Sequence, residues 1–446
     1  MSKRASLIWF VLVTAVLGGY YGAPFFFDKS DKRVHLPGET SAGHHQIEIA
    51  CKQCHTPFGG VKNDACNQCH ADELHAATNS HNEEKFADPR NADRISALDA
   101  QKCTTCHREH VPDQTRAGVT IAADFCVKCH QDVFTERPTH AALSPDSCGN
   151  AGCHNFHDNR ALYEDFLRKH FDEPALKTVA RVMPLGTTSA GKESRKALFA
   201  KDRDAPASSD LDPTIIHQWE TTAHAKAGVN CTDCHRENDT AGNAVRWTNK
   251  VDHAACTRCH RTEDEGFLKG RHGMRIAAGL TPMTPGMARL PMKPDAKDRE
   301  LDCNSCHSAH EFDARKAAVE SCLGCHDDTH SLAYESSRHY QLWKLEQDGN
   351  AEAGTGVSCA TCHLPRESHQ KDGVEIVTVQ HNQNDNLRPN DKMLRSVCMS
   401  CHGLAFSMDS LSDADLVRRN FNGKPQGHVA SLEMAKKRGN TLKPGD

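Results

Sequence analysis

Residues 51–70 read CKQCHTPFGGVKNDACNQCH. Two Cys-x-x-Cys-His units follow one another here, Cys51, Cys54 and His55, then Cys66, Cys69 and His70. The unit recurs along the chain at Cys103, Cys106 and His107; at Cys126, Cys129 and His130; and at Cys231, Cys234 and His235. It returns at Cys256, Cys259 and His260; at Cys303, Cys306 and His307; and at Cys322, Cys325 and His326. The last two regular copies are Cys359, Cys362 and His363, and Cys398, Cys401 and His402. An eleventh copy is stretched to CGNAGCH, with Cys148, Cys153 and His154. These units use all 22 cysteines of the chain. Two thiols three residues apart on one helical turn can add to the two vinyl groups of a single haem, and the next histidine is then held beneath the iron as its proximal ligand. Zinc ribbons need no histidine after each cysteine pair. A thioredoxin-like Cys-x-x-Cys would occur once. In the stretched copy, Gly149 and Gly152 let the extra residues loop out while both sulfurs keep facing the vinyls.

On these motifs the chain resembles the multihaem c-type cytochromes, over roughly residues 44–402. A motif stretched in this way is also found in the class III tetrahaem cytochromes, which the N-terminal half resembles. The resemblance implies eleven covalently attached haem c groups and a location outside the cytoplasmic membrane. The composition agrees with a chain that needs a cofactor for its interior. Its hydrophobic share is 37%, and exchanging the 5 Tyr for the 29 Gly gives about 42%, below the roughly 45–50% usual for globular chains. The expected fold is mainly α with much irregular chain, a haem-packed core and little or no β-sheet. The net charge of −5, from 54 basic and 59 acidic residues, excludes a strongly basic protein that grips nucleic acid through its phosphates.

Histidine supplies a second layer of candidates. Of 30 histidines, 11 follow a motif cysteine and 19 are spare, more than one for each iron. His110, His157 and His310 lie three residues after a proximal histidine, and His330 four after one. His44 and His224 lie seven before a motif, and His253 three before one. Each is tied to its own motif's stretch of chain, so each is expected to reach the iron of a neighbouring haem. Further candidates for distal ligation are His75, His81, His140, His170, His272, His339, His369 and His381, whereas His35, His45, His217 and His428 read as solvated. Met274, Met283, Met287 and Met292 lie in a Pro-rich stretch and read as loop packing rather than axial ligands.

The run from Ala5 to Phe27 carries no charge for 23 residues, enough for a bilayer span, which takes roughly 20. Small-x-small cleavage sites in it are poor, which favours an uncleaved membrane anchor over a removed secretory signal. The expected organisation is an anchor or signal at 1–28, a five-haem domain at 29–160, a helix plus linker at 161–215, a six-haem domain at 216–410 and a tail at 411–446. The division follows the 83-residue gap between Cys148 and Cys231. Within the gap, Leu162, Phe166, Leu167 and Phe171 give Asn159–Asp172 a helical period, and Gly186–Pro213 reads as a surface linker or mobile loop. Asp413–Asn420 reads as a short helix capped by Ser412, and Pro444–Asp446 as a frayed end.

Two classes of function fit. The first is an electron carrier without catalytic residues, whose haems form a chain between a quinol-linked membrane donor and a downstream redox partner protein. The second is an oxidoreductase with one open haem. The stretches GVSCATCHLPR and RSVCMSCHG give the C-terminal half a weak resemblance to the octahaem hydroxylamine oxidoreductases and pentahaem nitrite reductases. The nitrite reductases carry a Lys in place of the motif histidine at the catalytic haem, and no motif here does. By chain order the open haem of the hydroxylamine enzymes would correspond to the one on His260, with Tyr334, Arg338, His339 and Tyr340 as the nearest polar donors. An ordinary helix surface plus one distal ligand is the simpler role for those four residues.

Overall fold

The computed structural model describes residues 3–26, 32–56, 59–77, 81–111, 118–149, 154–158, 164–183, 195–238, 245–371, 373–387 and 392–441. The elements are short. Helices and 3-10 turns of three to fourteen residues dominate after the N-terminal helix Lys3–Phe26, and the strands form three two-stranded antiparallel ladders. Most motifs sit on a single turn, as at Cys103–Cys106, Cys231–Cys234, Cys303–His307 and Cys359–His363. The residue before the first cysteine often starts that turn. Asp302 accepts from the Ser305 amide and Ser358 from the Thr361 amide, so orphan donors at the helix start are satisfied locally.

The chain divides into two compact units, one of residues 1–147 with 275–281, the other of 148–274 with 282–446. Among the described residues of the first unit the buried side chains are Lys32, Thr40, Gln46, Thr120 and Arg275, and none is a large apolar group. Arg275 is held there by the carbonyls of Gln46 at 2.8 Å and Thr281 at 2.9 Å. The second unit has side-chain cores of its own. Leu167, Leu394, Leu404, Met408, Val429 and Leu432 form one, and Val319, Tyr334 and Trp343 another.

Several expectations change on this background. The described part of the 411–446 segment is more than a tail: helix Ala430–Thr441 packs on helix Glu164–His170 and brings Leu432 into the first of those cores beside Leu167. The helix predicted at Asn159–Asp172 runs over Glu164–His170, with residues 159–163 outside the described ones. The described part of the expected linker, 195–213, is pinned rather than loose. Leu198 donates to the Ala225 carbonyl at 2.9 Å, and the Asp204 carboxylate accepts from the Thr232 amide at 2.9 Å. The cap of Ala414–Arg418 is Asp413, whose carboxylate accepts from the Leu416 amide at 2.9 Å, while the Ser412 hydroxyl turns back to the Asp409 carbonyl at 2.8 Å. The carboxylate reaches the open amide more readily than a hydroxyl one residue earlier. Residues 444–446 lie outside the described ones. The Pro-rich stretch folds against the Cys322 motif: Lys293 donates to the Cys325 carbonyl at 2.8 Å and Met283 is buried. The N-terminal helix contains one stretch, Arg4–Gly22, long and apolar enough to cross a membrane.

Candidate haem-binding histidine pairs

Several motif histidines are fixed through Nδ1. His107 contacts the Gly118 carbonyl at 3.2 Å, His235 that of Thr248 at 2.8 Å, and His402 that of Ala175 at 2.7 Å. Donation from Nδ1 leaves the Nε2 lone pair free for a metal.

Opposite the motif histidines stand histidines from elsewhere in the same unit. In the first unit His55 faces His110 with ring centres 6.4 Å apart, His70 faces His44 at 5.9 Å, and His130 faces His81 at 6.2 Å. In the second, His235 faces His310 at 5.8 Å, His260 faces His224 at 6.0 Å, and His307 faces His381 at 6.3 Å. His326 faces His272 at 6.4 Å, His363 faces His330 at 6.2 Å, and His402 faces His339 at 6.4 Å. These described contacts include nine of the eleven motif histidines. A metal bonded to one nitrogen of each ring at about 2 Å, with roughly 1 Å more from nitrogen to ring centre on each side, requires about 6 Å between centres. The observed spacing therefore fits one iron between each pair, and it is too long for direct ring stacking.

Burial keeps several of these rings neutral, as a metal ligand must be. It pulls His272, His339 and His363 down to about 4, helped by the neighbouring imidazoles. Burial also pushes some motif thiols up, Cys306 to about 11 and Cys362 and Cys398 to about 12, which argues against thiolate chemistry at these three cysteines. Sulfurs of successive motifs lie against one another at Cys66 and Cys103, Cys256 and Cys303, and Cys322 and Cys359. Groups attached there would be neighbours. Among the described residues no cluster of three or more His, Cys, Asp or Glu is placed to hold a bare metal ion.

The remaining candidates make other described contacts. His253 Nε2 sits 2.5 Å from the Asp264 carboxylate, a close approach without hydrogen-bond alignment. His170 contacts Glu173 at 2.7 Å, and His140 the Thr139 hydroxyl at 3.0 Å. His157 turns its ring edge to Phe156, His369 lies 3.7 Å from Glu367 on a hairpin, and His75 is in the last turn of helix Asn63–Ala76. Of the four histidines read as solvated, His45 contacts Gln46 at 2.7 Å and His428 contacts Asp409 at 2.8 Å. His35 is half-buried, and His217 lines a surface cleft with Glu311 and Lys316. Cys153 of the stretched motif lies outside the described residues; the His154 amide donates to the Cys148 carbonyl at 3.1 Å.

The residues considered for an open haem have other partners. His260 faces His224, and His339 faces His402. Tyr334 is buried beside Trp343, with its hydroxyl donating to the Val357 carbonyl at 2.7 Å, and Tyr340 packs on both rings.

Two carboxylates were not legible as part of the site. Glu109 receives His44 Nδ1 at 2.5 Å, the Ser41 hydroxyl at 2.9 Å and the Ser41 amide at 2.6 Å. Burial raises its pKa, but these donors outweigh that and hold it down to about 2. Glu73 contacts His70 Nδ1 at 3.0 Å from one helical turn on. Both rings of the His44–His70 pair thus lean on a carboxylate.

Residues 43–131 match the cytochrome c3 family. With the repeated motifs, the match supports a multihaem c-type cytochrome and, for it, covalently bound haem c and electron transfer. No curated protein and no solved structure matches the chain.

Proposed function

We propose that the protein carries electrons along eleven haem c groups, each iron held between two histidines, on the periplasmic side of the cytoplasmic membrane. The observation that carries this reading is the set of nine facing imidazole pairs with centres 5.8–6.4 Å apart. Haem iron held by such a pair would supply a one-electron couple. The protein's own part is to hold the rings, keep them neutral and set successive motifs side by side. Close sulfur contacts between motifs support a continuous path. The apolar stretch Arg4–Gly22 supports a membrane anchor, and so a donor in the quinol pool with a redox partner protein downstream.

Carbon monoxide titration of the reduced, purified protein tests this. A carrier with filled axial positions binds none and turns over neither hydroxylamine nor nitrite. Stoichiometric binding at one haem together with turnover of either compound would establish the oxidoreductase reading instead.

A further inference from the structure

The ligand pairs of the first three motifs and of the sixth to eighth follow one plan. A histidine seven residues before the first motif of each set faces the proximal histidine of the second: His44 faces His70, and His224 faces His260. A histidine three residues after the third proximal histidine faces the first: His110 faces His55, and His310 faces His235. The backbone repeats as well. His110 and His310 both take left-handed φ values, 63° and 71°. A two-stranded ladder follows the first motif in each set, His55–Thr56 with Gly60–Val61 and Arg236–Asn238 with Val245–Trp247. Ring orientations correspond: the first pair of each set is close to parallel, at 27° and 11°, and the second is steeply crossed, at 64° and 85°. Residues 44–110 lie inside the stretch that matches a family, whereas 224–310 lie outside it.

The copies differ at one position beside the second pair. Each proximal histidine there has a glutamate three residues on, Glu73 at 3.0 Å from His70 and Glu263 at 3.8 Å from His260. The distal histidine differs: His44 leans on Glu109, which the residue count from the third motif aligns with Ala309. His224 instead lies against the Phe312 ring at 4.5 Å.

We propose that residues 44–110 and 224–310 are two copies of one three-haem module, and that Glu109 sets the second haem of the first copy to a lower potential than its counterpart. The proposal rests on the electron-carrier reading. A carboxylate accepting the Nδ1 proton makes the imidazole a more basic donor and stabilises the oxidised iron. Ser41, donating twice to the same carboxylate, keeps it aimed at His44. Glu109 is therefore a positioning residue that acts on the iron through His44.

Redox titration of the full-length holoprotein, followed by visible and electron paramagnetic resonance spectra, tests the proposal. Glu109→Gln keeps the size and a hydrogen-bonding side chain, and should shift the reduction equilibrium of one haem by about tenfold, about 59 mV upward for one electron. Glu109→Asp, retaining the charge, should recover most of that shift. Ala309→Glu, at an exposed position, should move one haem in the opposite direction. Titrations of Glu109→Gln that superimpose on wild type overturn the tuning role, and an unmoved Ala309→Glu overturns the equivalence of the copies. Haem content and the low-spin spectrum, measured on the same samples, separate these outcomes from a failure of the carrier reading. Wild type lacking haem or six-coordinate iron would overturn that reading, and this proposal with it.

Discussion

Replacing His224 with alanine tests the ligand assignment at the haem site where an enzyme reading would place catalysis. The His224 ring stands 6.0 Å from that of His260, and its edge lies against Phe312 at 4.5 Å. The His307 ring near this pair is already opposite His381, so it is not available as a replacement ligand. On the proposed assignment alanine removes the distal ligand, and a solvent molecule or carbon monoxide can take the position. Attachment depends on Cys256 and Cys259, so all eleven haems should stay bound. The reduced variant should therefore bind carbon monoxide at one site per chain, one in eleven of the motifs, and that haem should rise in potential. Loss of the ring contact with Phe312 should cost about 0.5–1.5 kcal/mol beyond the area lost, so the fold should survive. His217→Ala, in the cleft beside Glu311 and Lys316, is the control and should bind none. An intact haem count with no carbon monoxide binding in His224→Ala would refute the assignment of His224 to this iron.

Intact mass of the mature holoprotein should exceed the polypeptide by eleven haem units, and ten would mean that the stretched motif at Cys148 and Cys153 is not used. Leu404→Ala, at a fully buried position between Leu394 and Met408, should destabilise the second unit by about 2–5 kcal/mol in denaturant unfolding. Hydrogen bonds to Asp409 and Glu433 raise His428 above its ordinary 6.5. The folded-state pKa lies above the unfolded one, so this contribution to stability is complete below about 6.5 and fades as pH rises through the folded value. The Tm difference between wild type and His428→Gln should accordingly shrink from pH 6 to about pH 9, and a difference that grows over that range would show that the charged imidazole is not what stabilises.

Short-range chemistry was legible in the chain because it is local. The spacing of Cys303 and Cys306 puts both sulfurs on one turn, and Asp302 starts that turn through its own side chain. The C-terminal core was not legible: Leu167 is far in sequence from Leu394 and Leu404, and Leu432 lies beyond the last motif, so no local pattern showed that these leucines meet. The pinned segment at 195–213 was missed for a related reason. Its polar residues suit a solvated loop, yet Asp202 and Asp204 use their oxygens to hold Asn230 and Thr232 beside the Cys231 motif.

By itself the sequence determined the cofactor chemistry, the number of attachment motifs and the surplus of histidines, since each follows from residue identity within a few positions of the chain. Only the tertiary structure decided which spare histidine meets which proximal one. His253 and His224 look alike as candidates flanking motifs, but His224 meets His260 while His253 is drawn to Asp264. It also decided that Glu109, placed by sequence between His107 and His110, closes on a third histidine, His44. Such pairings depend on where distant segments cross, and a local pattern of residues does not carry that information.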